Sequence, residues 1–99
     1  MELFAVVRRR GWKSAAELGE AVVRSMKVGD EEMSEQVRWI RTYVVDESDG
    51  SLGTLCIFEA AGRHALRAHA TSAALPCDEI LRIVDTVIMR PDPGPRAAA

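Results

Sequence analysis

The order of periodic stretches predicts an α+β domain in which four antiparallel strands are backed by two helices, in the order βαββαβ. Three observations predict it. Residues 3–9, Val37–Asp46, 51–61 and 78–89 have the length and the β-branched and apolar content of strands. Apolar positions at helical spacing separate the first strand from the second and the third from the fourth. Asp49-Gly50 between the middle pair is a tight-hairpin signal.

Taken in order, Leu3-Phe4-Ala5-Val6-Val7 is a continuous apolar run, the pattern of a strand covered on both faces, and Gly11 is expected to end it. Ser14 then opens a helix, with Glu17 three residues on in capping-box spacing. Leu18, Ala21, Val22, Ser25 and Met26 share one face of that helix, Gly29 is its expected stop, and Asp30 to Glu35 reads as an acidic, solvated connector.

With Asp49 and Gly50 as the two loop residues, Tyr43 faces Cys56, Arg41 faces Phe58 and Ile40 faces Glu59. One sheet face then carries Trp39, Arg41, Tyr43, Cys56 and Phe58; the other carries Ile40, Thr42, Val44, Leu55, Ile57 and Glu59. A bulge near Gly53 would exchange the two sets. Residues 63–74 form the second helix, with Leu66, His69, Ala70 and Ala73 on its inward stripe, His64 on another side, and Leu75-Pro76 as its end. Right-handed crossovers join these elements into a ferredoxin-like split β-α-β sheet with both helices on one face. Residues 1–90 make the single domain and residues 91–99 a disordered tail rich in Pro and Ala. Both sheet faces are mainly apolar and two helices cover one of them, so a second copy is expected on the other, in a dimeric α+β-barrel-like assembly.

Thirteen basic and fifteen acidic residues leave a net charge of -2, with no broad attraction for nucleic acid or anionic lipid. Arg8-Arg9-Arg10 is the one basic run and reads as a solvated strand end. No signal segment and no apolar stretch of membrane-spanning length is present, so a cytoplasmic protein with two free thiols is expected.

Cys56, His69 and Cys77 are the borderline and soft metal ligands, thirteen and eight residues apart, without a CxxC or HxxxH pair. His69 leans toward the sheet from the helix that follows the strand of Cys56, and Glu59 is the nearest candidate to enlarge the set. Such a Cys/His group suits nickel, copper or zinc better than calcium or magnesium. The bland alternatives are a buried strand thiol at Cys56, a hydrogen-bonded core imidazole at His69, a loop thiol at Cys77 and an ion pair of Glu59 with Arg41 or Arg67. Trp39, Tyr43, Phe58 and His69 are an alternative organic-ligand group in a helix–sheet cleft. No nucleophile elbow, P-loop, dinucleotide fingerprint or HExxH occurs, which leaves the common enzyme classes without support.

Val37 to Val44, Leu55 to Ala60, Ala65 to Ala70 and Leu75 to Ile80, as a set, resemble a bacterial domain-of-unknown-function family of small ferredoxin-like proteins that includes nickel-binding members. The resemblance covers residues 37–87 well and residues 1–29 in outline. It implies a homodimer built through sheets and binding of nickel, with Cys56, Glu59 and His69 at matching positions. Two departures stand out. The nickel-binding members are richer in histidine near the end of the first strand, where this chain has Arg8 and Arg9, and around the last loop and strand, where it has Leu75 and Leu81. The leading expectation is a non-enzymatic homodimer binding nickel through His69 and Cys56 with Glu59 or Cys77. The alternatives are a dimeric α+β-barrel binder or enzyme using Tyr43 and Phe58, and a plain interaction module.

Overall fold

The computed structural model describes residues 1–95. The end of the expected tail, residues 96–99, lies outside the described residues. The order is β1 (Glu2–Trp12), α1 (Ala15–Lys27), a π turn (Val28–Glu32), β2 (Val37–Asp46), β3 (Leu52–Ala60), α2 (Arg63–Ser72) and β4 (Glu79–Arg82). The strands form one sheet in the order β2-β3-β1-β4, every pair antiparallel. The expected βαββαβ, ferredoxin-like fold is therefore the fold of this chain.

Phe4, Val6, Cys56, Phe58, Ala60, Val37 and Ile80 line the covered face and pack with Ala65 and Leu66 of α2. Trp12, Leu18 and Ala21 form a second buried cluster under α1, flanked by Val22, Leu52 and Leu75. Ser14 caps α1, its Oγ accepting from the Glu17 amide at 3.2 Å, while the Glu17 carboxylate accepts from the Lys13 amide at 3.3 Å, one residue before the cap. The helix does not stop at Gly29. It widens into the π turn, closed by the Met33 amide on the Val28 carbonyl at 3.0 Å, so part of the acidic connector is helical. Helix α2 ends with Ala74 at φ +54°, where the Leu75 amide reaches the Ala70 carbonyl at 2.9 Å.

The middle hairpin departs from the expected register. Its loop is Ser48-Asp49-Gly50, not Asp49-Gly50 alone. The Gly50 amide donates to the Glu47 carbonyl at 3.0 Å, the Glu47 amide to the Ser51 carbonyl at 2.9 Å, and Gly50 takes φ +87°. This longer loop slips the pairing by one residue: Tyr43 pairs with Leu55 and Thr42 with Cys56. The bulge lies between Trp39 and Arg41 rather than at Gly53, and beyond it Trp39 pairs with Phe58 and Arg38 with Glu59. Trp39, Thr42, Cys56 and Phe58 thus share the covered face. Arg41, Tyr43, Leu55, Ile57 and Glu59 share the open one.

Two strand ends were also misplaced by sequence reasoning. Strand β1 runs past Gly11 to Trp12, with an irregularity after Arg8 and Arg10 at φ +50°. Strand β4 stops at Arg82 instead of residue 89. Its pairing with β1 ends there: Arg82 pairs with Phe4 and the Ile83 amide reaches the Leu3 carbonyl, one residue from Glu2, where β1 itself ends.

Gly53 sits where no side chain fits. A Cβ there would stand 2.7 Å from Glu47 Oε2 and 2.8 Å from the Arg8 carbonyl oxygen. We expect Gly53→Ala to cost about 1–3 kcal/mol, the usual range for forcing atoms into a packed site, read as a lower urea midpoint at unchanged slope.

Candidate functional site

The polar groups of interest meet where β1 and β3 pass beneath α1 and α2. Strand alternation sends Phe4, Val6 and Arg8 to the same face. Arg8 is therefore not part of a solvated edge. It is 3% exposed, and its Nη1 donates to the Pro76 carbonyl at 2.6 Å. Its neighbours in the basic run do point outward. Arg9 makes a two-pronged pair with Glu47 (Nη2 to Oε1 2.9 Å, Nε to Oε2 3.0 Å), and the Arg10 amide donates to the same carboxylate at 2.8 Å. The Arg9 hydrogen bond, followed by that from the Arg10 backbone, holds the Glu47 carboxyl below the usual carboxylate range.

His69 is fully buried on α2. Its Nε2 lies 3.1 Å from the Ser25 carbonyl oxygen and 3.4 Å from Ser25 Oγ. A carbonyl only accepts, so the proton sits on Nε2 and Nδ1 carries a bare lone pair; Nδ1 has no hydrogen-bond partner. The ring lies edge-on to Phe58 at 5.3 Å, and Phe58 stacks with Trp39 at 6.1 Å. Burial pushes the His69 imidazole below its usual range; the Ser25 carbonyl opposes this and the positive charge of Arg8 adds to it.

Cys56 lies in a relay on β2 and β3. The Trp39 indole N–H donates to Thr42 Oγ1 at 2.7 Å, the Thr42 hydroxyl to Cys56 Sγ at 3.2 Å, and the Cys56 thiol to Thr54 Oγ1 at 3.6 Å. The relay borders a cavity of about 20 Å³ between sheet and helices, lined also by Arg8, Ser25 and both tryptophans. That is room for one or two waters, far short of the roughly 300 Å³ of an ordinary organic-ligand pocket.

The remaining candidates lie elsewhere. Glu59 is on the open face, paired with Arg38 at 3.2 Å rather than with Arg41 or Arg67. Cys77 is exposed in the connection between α2 and β4. Tyr43 is on the open face and 41% exposed, so of the expected organic-ligand group only Trp39, Phe58 and His69 are brought together. Tyr43 and Arg41 instead both donate to the Asp92 carboxylate of the C-terminal segment. Sequence reasoning missed Arg8 as a buried group, although its even spacing from Phe4 and Val6 carried the signal.

Comparison with known proteins places these observations. The family described as nickel responsive protein SCO4226-like matches residues 4–83, and the chain belongs to that family. A crystal structure of SCO4226 from Streptomyces coelicolor A3(2) superposes with a TM-score of 0.69 at 20% identity, over 86% of this chain and 99% of that one, and shows the shared fold. No protein with a curated description matches.

The described residues do not fit a nickel ion held by one chain. Among the described residues no three His, Cys, Asp or Glu side chains converge. Cys56 and His69 lie on the covered side, Glu59 on the other. Among the described residues, the charged side chain that borders the same space as Cys56 and acts on His69 is the cation of Arg8, which repels a second cation in a poorly screened interior.

The depressed His69 sets a pH dependence. As pH falls below about 6.5 the unfolded chain takes a proton that the folded chain refuses. Stability present above that pH is then lost toward the lower folded pKa, by up to about 1.4 kcal/mol per pH unit. We expect the wild-type Tm to fall between pH 7.5 and 5.5 and the fall to be markedly smaller in His69→Gln, measured by circular dichroism.

Proposed function

We propose that this member of the SCO4226-like nickel-responsive family is a non-enzymatic module that pairs with a second copy of itself through the open face of its sheet. The observation that supports this reading most directly is the one-sided sheet. Both helices lie on one face; on the other, Leu55 and Ile57 are half-buried, and Tyr43, Val45 and Leu81 are between 41% and 45% exposed. Next to it, Val84, Val87, Ile88 and Met89 continue past the end of β4 with 73% to 82% of their surface in water. A contiguous apolar surface of this kind marks an interaction site. A two-fold pair is the simplest occupant, because each copy offers the same surface. The segment carrying Asp92 crosses this face and must leave Arg41 and Tyr43 for the second copy to dock.

The family's description speaks of nickel. In this chain, we infer, any nickel response does not run through Cys56, Glu59, His69 and Cys77 of a single chain. The cation of Arg8 and the separation of Glu59 from the covered-side groups support that. No helix is long and apolar enough to cross a membrane.

Two measurements test the proposal. Light scattering at rising concentration should move toward twice the 10.9 kDa chain mass, and Leu81→Asp should shift the equilibrium back; a single 10.9 kDa species throughout would end the pairing claim. Calorimetric titration with nickel should give the same heat for wild type and His69→Ala. A heat that disappears in the variant would return His69 to the metal.

A further inference from the structure

Strand β4 is one edge of the sheet and β2 is the other. The arm that follows β4 crosses the open face between them. At the far edge the Arg41 guanidinium and the Tyr43 hydroxyl both donate to the Asp92 carboxylate. Three strand spacings of about 4.8 Å separate the edges, ~14 Å in all. The chain from Ile83 to Asp92 reaches about 30 Å when extended. The arm therefore has slack, and it bows away from the strands. An open space of about 1620 Å³ lies between it and Leu3, Arg41, Tyr43 and Ile57 of the sheet.

The bowed arm buries little of its own apolar surface. Val84, Val87, Ile88 and Met89 border the space or lead into it, and each is 73% to 82% exposed. The space is larger than the roughly 300–1,000 Å³ of an ordinary small-molecule pocket. It is room for a polypeptide segment. The chemistry of that segment is given by the contact already made: the open face takes a carboxylate at Arg41 and Tyr43, beside apolar residues of β1 and β3. The arm carries both features, and a second copy brings the same arm.

We propose that the two copies of a pair exchange arms. Asp92 of each leaves its own Arg41 and Tyr43 and docks on the partner's Arg41 and Tyr43, with Val84 to Met89 laid into the space over the partner's open face. The proposal rests on the pairing through that face and adds which residues each copy lends to the other. Exchange is a low-cost route to a pair, because the contact broken within one chain is remade between two.

A charge exchange separates contacts within a chain from contacts between chains. Asp92→Arg sets two cations together, and Arg41→Asp sets two carboxylates together, whether the contact is made within one chain or between identical chains. Both positions are about half exposed, so either variant should fold. In a mixed pair of the two variants, each arm meets an opposite charge on the other chain. Native mass spectrometry of the mixture should show the mixed pair in excess, at least about 10-fold tighter than the pair of either variant with itself. Mixed and like pairs in random proportion, or no mixed pair, with a wild type that does pair, would overturn the exchange and leave the pairing standing. A wild type that stays at 10.9 kDa would remove both.

Discussion

A positive charge carried into the layer between sheet and helices shapes this molecule more than any other contact. Phe4, Val6 and Arg8 alternate to the same face of β1. The first two are ordinary core residues; the third brings a guanidinium under the helices. Its consequences spread outward. The Pro76 carbonyl is turned inward to accept from it, and the His69 imidazole is held more firmly in its neutral form. Immediately beyond, the backbone leaves regular pairing at Arg10, and Arg9 and Arg10 turn out to the Glu47 carboxylate, which fills the space over Gly53. One residue buried and the next two exposed is what strand alternation followed by an irregularity produces.

That charge also separates this chain from the metal suggested by its family's description. A histidine with its Nε2 proton on a carbonyl and a bare Nδ1 is the form that metal-binding imidazoles adopt. Form alone is insufficient. A metal site needs several donors converging on one point and a field that favours a cation, and the covered face offers Cys56 and His69 beside a guanidinium. In this chain the side chain that ends the inward row of the central strand is itself a cation.

Much of this was legible in the residues, and the failures have identifiable causes. Ser14 with Glu17 marked the start of α1, and Leu66, His69, Ala70 and Ala73 marked the inward stripe of α2. The hairpin was found but its register was not. A two-residue and a three-residue loop both suit Ser-Asp-Gly, and they differ by one residue in pairing, which exchanges the faces of Tyr43 and Thr42. Local chemistry does not choose between them. The Glu47 carboxylate does, by closing on Arg9 and Arg10 from a strand that is remote in sequence. Strand β4 was overextended for a similar reason: Val84 to Met89 are strand-like by composition, but a strand needs a partner, and β1 has already ended.

The sequence by itself determined the βαββαβ order, the antiparallel ferredoxin-like sheet and the inward histidine. Those depend on periodicity, capping and short connections, which are properties of neighbouring residues. The tertiary structure alone decided which strand residues share a face with His69, that Glu59 is not among them, and that Arg8 is. Those depend on register and on alignment between strands far apart in the chain, where a one-residue slip reverses every side chain and no local preference records the outcome.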